Sequence, residues 1–359
     1  MISVRSTGYS QDCGRKSNAR NVGATLDGTP PHGINAITRR AMLVGALSLA
    51  TLALPVFAQR AAPVRIGWLA YIGEPDPGLQ MLREGLRDLG YSEGKTHVMV
   101  ARYADGDFTR LPELVGELMA EKIDVLVSRG PSVDYTKSIR AQVPVVFAYS
   151  GDPIIAGFGD SLRKPGRNMT GITFMAMELS AKRIEVLKEL VPKASRVALL
   201  SNPEHAGELN EYRVTDESAR RLGARITRYL VRSPQEMNAA FSTIRASQPD
   251  AMIVFPDSLT VARRKEIADF AAQARIPCIY GWTEFVEAGG LMSYGPSLVE
   301  NFKALAMFVD KILKGTDASN IPIEQVSKIG LTINMGTAKA LGITIPQSLL
   351  VRADKVIAS

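Results

Sequence analysis

The stretch VPVVFAYSGDP, residues 143–153, is an apolar run that ends abruptly in small polar and acidic residues. Near-continuous apolar runs of this kind are typical of strands in a parallel sheet that is covered on both faces. Amphipathic segments lie between such runs, so the chain alternates strands with helices, which predicts right-handed βαβ units. Four further stretches have the same pattern: IDVLVSRGPS (123–132), VALLSNPE (197–204), AMIVFPDS (251–258) and IPCIYGWTE (276–284).

The alternation of strands and helices occurs twice along the chain. In the second series, Ser180 is the expected N-cap of one helix and residues 259–274 are expected to form another. We predict an α/β fold of two doubly wound parallel-sheet lobes, joined by a hinge of several strands. The expected division is lobe 1 at 63–173 with a return segment at about 297–315, and lobe 2 at 174–296 with a C-terminal segment at about 316–359.

Residues 38–58, TRRAMLVGALSLATLALPVFA, have the layout of a secretory signal peptide. Two arginines precede an apolar run that is too short for a membrane span and ends in the small-x-small pattern Val56-Phe57-Ala58. Because Thr38-Arg39-Arg40 also resembles a twin-arginine signal, export by the Sec or the twin-arginine route fits. We expect residues 1–58, a disordered extension plus the signal, to be removed near Ala58, which places the mature protein in the periplasm.

Charge and composition exclude several classes of protein. The formal net charge is +7, but residues 1–58 hold six of the 43 Lys and Arg and two of the 36 acids, which leaves 37 basic and 34 acidic residues, a net charge of +3. A balanced chain without a basic stripe does not indicate a nucleic-acid partner. Beyond residue 58 the chain has only His97, His205 and Cys278 as soft metal ligands, so we predict no metal, no cofactor and no internal disulfide.

The polar strand ends form the candidate ligand site. In an open parallel α/β sheet, ligands bind beyond the carboxyl ends of the strands, where helix N-termini offer unpaired N–H groups. Asp152 or Asp257 would accept from an ammonium group, the serines would hold a carboxylate, and the aromatic rings would cover an apolar side chain. The candidate ligand-binding residues are Trp68, Tyr71, Gly130, Pro131, Ser132, Ser150, Asp152, Asn202, Asp257, Ser258 and Trp282.

The candidates also have purely structural interpretations. Asp152 and Asp257 can simply cap the helix or turn that follows each strand, and Trp68 can pack in the core between the lobes. Arg129 is interpreted as a solvated or interlobe ion-pair residue rather than as a carboxylate clamp. His205, in SNPEHAGE, is interpreted as a surface loop residue.

The sequence lacks the common catalytic motifs. It has no G-x-S-x-G elbow, no G-x-x-x-x-G-K-[ST] loop, no H-E-x-x-H and no C-x-x-C, and GFGDSL at 157–162 lacks the third glycine of G-x-G-x-x-G. Asp152 and Asp257 could form a carboxylate pair for glycoside hydrolysis, although ammonium recognition explains both acids equally well. We predict that the protein is not an enzyme, with a cleft hydrolase using these two acids as an alternative.

A set of motifs in a fixed order resembles the ABC-transporter substrate-binding protein family that includes tryptophan-binding lipoproteins. The resemblance covers nearly all of residues 64–347. The motifs are RIGWLAY (65–71), LREGLRDLGYSEGKTHVMVARYADGD (82–107), LMAEKIDVLVSRGPS (118–132), PVVFAYSGDPIIAGF (144–158), RKPGRNMTGIT (163–173), ELVPKASRVALLSNP (189–203) and LTINMGTAKALGITIP (331–346).

The resemblance implies a periplasmic-binding-protein type I fold, with three crossover strands and two lobes that close on a ligand. Characterised relatives bind amino acids, aromatic ones among them, and deliver them to a membrane permease driven by an ATPase. The motifs SGDP and PDS match the family's strand-tip ligand positions at Ser150, Asp152, Asp257 and Ser258. Trp282 stands where relatives often have a small or acidic residue, which leaves the identity of the ligand open.

These observations lead to one expected function and one close alternative. We expect a periplasmic solute-binding protein of an ABC-type importer, a monomer that traps a small amino-acid-like ligand by hinge closure and delivers it to a permease in the inner membrane. The alternative is a periplasmic sensor that uses the same cleft but signals to a membrane receptor.

Overall fold

The computed structural model describes residues 62–174, 176–205 and 207–358 of the 359-residue chain. The predicted extension and signal peptide, with the cleavage point near Ala58, lie outside these residues. Within the described part the chain forms thirteen strands. They are β1 (Val64–Ala70), β2 (His97–Tyr103), β3 (Val125–Arg129), β4 (Val145–Tyr149), β5 (Met169–Thr173), β6 (Arg196–Ser201), β7 (Arg225–Leu230), β8 (Ala251–Val254), β9 (Cys278–Tyr280), β10 (Met292–Pro296), β11 (Glu324–Gln325), β12 (Ile329–Asn334) and β13 (Lys355–Ile357).

Eleven α-helices and three short 3-10 helices connect these strands in the same described residues. No helix there is both long enough and apolar enough to cross a membrane. The α-helices are α1 (Pro77–Asp88), α2 (Leu111–Ala120), α3 (Ala176–Leu190), α4 (Glu208–Arg221), α5 (Pro234–Ser247), α6 (Ser258–Ala262), α7 (Arg264–Gln273), α8 (Thr283–Glu287), α9 (Leu298–Leu313), α10 (Met335–Leu341) and α11 (Gln347–Arg352). The 3-10 helices are Phe108–Arg110, Gly130–Ser138 and Ala318–Asn320.

The first sheet has the strand order β11-β5-β4-β3-β1-β2, and all of its neighbouring strands are parallel. Its register pairs Ala70 of β1 with Arg129 of β3, and Tyr149 of β4 with Thr173 of β5. These strands therefore end at a common edge, which we call the lobe 1 rim. Lobe 1 consists of this sheet with α1, α2 and α9.

The second sheet has the order β13-β12-β10-β9-β8-β6-β7 and is parallel except between β10 and β12. Leu200 of β6 pairs with Val254 of β8, which pairs with Tyr280 of β9, so these strands also end together, at the lobe 2 rim. Lobe 2 consists of this sheet with the remaining α-helices. The predicted α/β fold of two doubly wound lobes is confirmed.

The chain passes between the two sheets three times, after β5, after β10 and after β11. The second passage brings α9 back onto α1, where Lys303 Nζ lies 2.8 Å from Glu84 Oε2. The residues of such passages are where a hinge between two lobes can bend. Helix α9 is the element that the sequence placed in a return segment at about 297–315.

The last passage differs from the expected division of the chain. The short strand β11 pairs with β5 in the first sheet, and the Thr170 hydroxyl donates to the carbonyl of Ile321 over 2.9 Å. Residues 318–325 therefore pack with lobe 1, whereas the sequence pattern assigned everything from about 316 onward to lobe 2. The chain re-enters lobe 2 at β12. The sequence pattern missed this detour through lobe 1, because a two-residue strand is too short to show which sheet it joins.

Two helices of lobe 2 differ from their sequence predictions. Ser180 is not an N-cap, because α3 already includes Ala176 and the buried Ser180 hydroxyl donates to Glu211 Oε2 over 3.3 Å. The helix predicted over 259–274 is divided into α6 and α7 at Arg263, where φ of −102° and ψ of 17° leave the helical range.

The centre of the second sheet contains a single thiol. Cys278, the first residue of β9, is buried and makes no disulfide. Burial raises the pKa of this thiol far above its ordinary range, so the side chain is neutral and behaves as a small apolar residue.

Candidate ligand-binding site

The two rims touch each other. Gly130, directly after β3, has a φ of +58°, and a methyl group in place of its hydrogen would lie 3.0 Å from the hydroxyl oxygen of Ser258 at the start of α6. A methyl group on Gly207 of lobe 2 would lie 3.5 Å from Cα of Gly151 in lobe 1. The two rims are in contact at these points, and space lies between the carboxyl ends of their strands.

That space is a small cavity, which we call the interlobe cavity. Its empty volume, including space open to solvent, is about 380 Å³. Its lining comes from both rims and from the crossing segments. The lining residues are Arg129, Gly130, Pro131, Ala148, Ser150, Phe174, His205, Asp257, Ser258, Val261, Trp282, Leu298 and Phe302.

Asp257 is the acid of the lobe 2 rim. It follows β8 as the N-cap of α6, where Oδ1 accepts from the Thr260 amide over 2.9 Å and Oδ2 accepts from Asn202 Nδ2 over 3.0 Å. Burial raises the pKa of the Asp257 carboxyl, against the charge of His205 and the hydrogen bonds from Thr260 and Asn202. An ammonium group in the cavity would favour the charged form of this carboxyl.

His205 lies in the same rim and is only 5% exposed, so its interpretation as a surface loop residue is wrong. Its Nε2 donates to Glu211 Oε1 over 2.9 Å, and Glu211 lies on the first turn of α4. Burial acts to lower the pKa of His205, but the charges of Glu211 and Asp257 and the hydrogen bond that His205 donates to Glu211 outweigh burial and raise it. The pairing with an acid six residues later is what brings this histidine inside.

The lobe 1 rim presents a cation instead. Arg129, the last residue of β3, places Nη2 3.0 Å from Asp76 Oδ1, and its side chain is 11% exposed. Asp76 is the N-cap of α1 and also accepts from the Trp68 indole N–H over 2.8 Å. Because Asp76 belongs to lobe 1, Arg129 forms a buried ion pair within one lobe, whereas the sequence suggested a solvated or interlobe pair.

Aromatic rings form the apolar wall of the cavity. The Phe174 ring lies 6.3 Å from the Trp282 ring at 68° and 6.3 Å from the Phe302 ring at 41°. Such tilted arrangements are favourable aromatic contacts. Phe174 follows β5 on the first passage between the lobes, and Phe302 lies on α9, which returns to lobe 1. Both rings therefore lie on segments that connect the two lobes.

The sequence candidates are divided between the cavity and its surroundings. The structure brings six of them together in the cavity lining: Gly130, Pro131, Ser150, Asp257, Ser258 and Trp282. Four others lie outside the lining. Trp68 donates to Asp76, Asn202 donates to Asp257, the Ser132 hydroxyl donates to the carbonyl of Arg129 over 2.9 Å, and the Tyr71 hydroxyl donates to the carbonyl of Gly106 over 2.6 Å.

Asp152 lies in a different place, a wider groove that we call the Asp152 groove. Its carboxylate accepts from the amides of Ile154 and Ile155 over 2.7 and 3.1 Å, as a turn-capping residue does. The groove has an empty volume of about 840 Å³ and shares Ser150 with the interlobe cavity, but none of its described lining residues is basic. The ionisable groups of both signs and the aromatic wall make the interlobe cavity the candidate ligand site.

This separation bears on the hydrolase alternative. Asp152 and Asp257 line different pockets, and both carboxylates accept backbone N–H groups. Two carboxyl groups that flank one glycosidic bond must face a shared substrate. The described residues also contain no group of three or more His, Cys, Asp or Glu side chains that could hold a metal ion.

Sequence reasoning missed several residues of the site. Asp76 and Phe302 were not candidates, because neither follows a strand and the chain pattern does not show which helix folds over the cavity. Phe174 was missed because an apolar residue after a strand does not match the pattern of polar strand ends. The signal at Asp76 was the sequence Asp-Pro before an amphipathic helix, which is typical of an N-cap with proline in the first turn.

Two α/β lobes, joined by three passages of the chain and meeting around a small cavity, define a protein of the periplasmic-binding-protein type I fold. The model of the ABC transporter substrate binding protein family matches residues 76–357. The chain belongs to this family, as the resemblance of its motifs suggested.

Known relatives and structures agree with this class. A tyrosine-binding protein of Clostridioides difficile (strain R20291) is 24% identical over 272 residues, 74% of this chain and 77% of that protein. A conserved domain protein of Vibrio cholerae aligns with a TM-score of 0.74 at 24% identity, covering 82% of this chain and 100% of that chain.

Two further solved structures have the same fold. A Streptococcus pneumoniae ABC domain in complex with L-Trp has a TM-score of 0.72 at 24% identity, and the alignment covers 82% of this chain and 100% of that chain. The ligand-free, open structure of a substrate binding protein from Clostridium difficile has a TM-score of 0.56 at 21% identity, with the same coverage.

Proposed function

We propose that the protein binds a small amino acid with an apolar or aromatic side chain in the interlobe cavity, as the solute-binding component of an ABC-type importer. One observation carries this proposal. A single small cavity combines an acid from lobe 2, a cation from lobe 1, hydroxyl groups and an aromatic wall. This is the set of groups that a zwitterion with an apolar side chain would satisfy.

The proposed ligand contacts follow from the lining. Asp257 accepts from the ligand's ammonium group, and the hydroxyl groups of Ser150 and Ser258 bond its polar end. Trp282, Phe174 and Phe302 enclose its side chain. Gly130 and Pro131 form the floor between the rims, and Trp68, Tyr71, Ser132 and Asn202 hold the lining in place. Asp152, at the mouth of the neighbouring groove, is proposed to touch the ligand only on its way in.

The names of two relatives support an amino-acid ligand. One relative is a tyrosine-binding protein, and one structure with the same fold holds L-Trp. Both ligands have an aromatic side chain, which suits the wall of three rings around the cavity.

We further propose that the lobes open to admit the ligand and close on it by bending at the three passages. The contact of Gly130 with Ser258 supports this, because the rims narrow the way into the cavity where they touch. The better superposition on the L-Trp complex than on the ligand-free, open structure also supports a closed arrangement. A membrane permease would then recognise the closed form. The protein would act as a monomer in the periplasm. Family membership favours an importer over the sensor alternative.

Ligand-dependent thermal unfolding tests this proposal. A chain that begins at residue 59 would be unfolded and refolded to remove any bound solute, then melted with L-tryptophan, L-tyrosine, L-leucine, L-lysine and glucose in turn. A solute at 100 times its Kd adds about 2.7 kcal/mol to the free energy of unfolding, which raises Tm by several degrees.

The variant Asp257→Asn and the matched surface variant Asp107→Asn separate a specific effect from a general one. Asp107 caps an exposed 3-10 helix in lobe 1, away from the cavity lining. We expect the aromatic or apolar amino acids to raise Tm in the parent chain and in Asp107→Asn, and much less in Asp257→Asn. A refolded parent chain whose Tm responds to none of the amino acids would refute the proposal.

A further inference from the structure

The guanidinium of Arg129 has hydrogen-bonding capacity that the protein does not use. Nη2 pairs with Asp76, but the buried Nε has no hydrogen-bond partner in the part of the chain that the structure describes. A buried N–H without an acceptor is costly, so buried polar groups are nearly always satisfied. Arg129 also lines the interlobe cavity, so an acceptor in that cavity would lie beside a guanidinium whose bonding capacity the protein does not fully use.

Asp76 holds this guanidinium in one orientation and cannot itself serve as a ligand contact. Its Oδ1 accepts from Arg129 and from the Gly78 amide, and its Oδ2 accepts from the Trp68 indole. The Phe302 ring lies on another side of the guanidinium, with its centroid 5.7 Å from Cζ. With one edge tied to Asp76 and one face against a ring, the guanidinium offers its remaining N–H groups in a fixed direction.

The lobe 2 rim favours a ligand group of positive charge, whereas the lobe 1 rim favours a negative one. In lobe 2, Asp257 faces the cavity as an acceptor, supported by Asn202. A guanidinium selects carboxylates, whose two oxygens match its planar fork of donors, and a carboxylate selects ammonium groups. The two ends of a zwitterion would therefore be drawn to different lobes.

We propose that Arg129, positioned by Asp76, binds the ligand's carboxylate in lobe 1 while Asp257 binds its ammonium group in lobe 2. The α-amino acid headgroup thus bridges the rims, and a molecule that lacks either charge holds only one lobe. This inference rests on the proposed function, and it assigns the ligand class as free α-amino acids, as distinct from amines, carboxylic acids or peptides extended at the carboxylate.

Isothermal titration with three related probes tests this assignment. L-Tryptophan has both charges, tryptamine lacks the carboxylate and indole-3-propionate lacks the ammonium group. The parent chain should bind L-tryptophan at least roughly 10-fold more tightly than either analogue, because each charge-assisted contact contributes about that factor or more. L-Tyrosine, tyramine and 3-(4-hydroxyphenyl)propionate form a parallel series.

The variant Arg129→Met keeps the length of the side chain and removes its donors. It should weaken L-tryptophan binding by roughly 10- to 100-fold and change tryptamine binding by less than about threefold, since tryptamine has no carboxylate to lose. If the uncompensated Asp76 prevents folding, the double variant Asp76→Asn with Arg129→Met removes both charges and keeps one amide oxygen as an acceptor for Gly78 or Trp68. Arg213→Met, on the exposed face of α4, is the matched control and should change neither affinity.

Asp76→Asn alone tests the positioning role. It should lower the preference for L-tryptophan over tryptamine several-fold, whereas a purely structural role would weaken both ligands equally. Equal loss of both ligands in Arg129→Met, or a parent chain that binds L-tryptophan and tryptamine equally, would overturn this inference and leave the proposed function intact. A parent chain that binds no amino acid at all would overturn the proposed function itself.

Discussion

The two rims of the interlobe cavity bury charge in different ways. On the lobe 1 rim, Arg129 and Asp76 neutralise each other, and the carboxylate is tied to a helix amide and an indole. On the lobe 2 rim, Asp257 and the His205–Glu211 pair are buried within one network of hydrogen bonds. An arginine keeps its charge at any pH a protein meets, whereas a histidine titrates near neutrality. The comparison teaches that the first rim is a fixed charge pattern and the second depends on protonation.

The largest effect is expected from breaking the ion pair of lobe 1. Asp76→Ala leaves Arg129 buried without its partner and should lower the free energy of unfolding by roughly 3–5 kcal/mol. Urea denaturation of the parent chain and the variant measures this difference. Asp107→Ala, which removes a cap from an exposed 3-10 helix in the same lobe, should cost about 1 kcal/mol or less. Equal losses in the two variants would show that Asp76 acts as a helix cap alone.

A smaller loss is expected from the corresponding acid of lobe 2. Asp257→Ala removes the N-cap of α6 and the acceptor for Asn202, and it should lower the free energy of unfolding by roughly 1–2 kcal/mol. The loss is smaller than for Asp76 because burial already disfavours the charged carboxyl of Asp257, as its raised pKa indicates. The same urea titrations compare the two variants, and an Asp257→Ala loss as large as that of Asp76→Ala would abolish the proposed contrast.

The smallest effect is a dependence of stability on pH, and its sign differs between the lobes. The pKa of His205 in lobe 2 is raised above the ordinary value of 6.5, so between pH 6.5 and the raised pKa the folded state binds more protons than the unfolded state. The free energy of unfolding should therefore fall as the pH rises through this window. His205→Gln should remove that decline, measured by urea titrations at pH values below and above the window. The groups that face His205 are Glu211, Asp257 and Glu208.

His97 in lobe 1 provides the matched control. Burial, with a smaller contribution from Arg83, lowers its pKa against the opposing charge of Glu93. Its contribution to stability is therefore present above pH 6.5 and lost as the pH falls through the lowered pKa, which is the opposite sign. His97→Gln should leave the decline above pH 6.5 unchanged. A decline that persists in His205→Gln would mean that another group causes it.

Much of the fold could be predicted from the sequence, because each buried parallel strand is recognisable as an apolar run that ends in polar residues. That rule also located Gly130, Ser150, Asp257, Ser258 and Trp282, since a residue directly after a strand must lie at the rim. Their roles in binding stay a prediction. Asp152 also follows a strand, but it lines the neighbouring Asp152 groove and its carboxylate caps its own loop.

The rest of the site depends on distant pairings that local patterns do not contain. Phe302 reaches the cavity only because α9 returns to lobe 1 and packs on α1. Asp76 precedes a helix, and its approach to Arg129 follows from the pairing of β1 with β3 across 59 residues of sequence separation in that sheet. His205 is buried where it pairs with Glu211 on the next helix, α4. The helices and strands can be predicted from a single sequence. The contacts between loops cannot, because they form only when the sheets are assembled.

The isolation of Cys278 has a practical consequence. A chain that begins at residue 59 contains this one thiol, which is buried and has a raised pKa. Thiol-reactive dyes are attacked by the thiolates of accessible cysteines, so Cys278 would stay unlabelled. A second cysteine placed at Ile155, which is 80% exposed beside the Asp152 groove, would therefore take up a fluorophore selectively. The labelled chain would then report ligand binding optically, with the native Cys278 left in place.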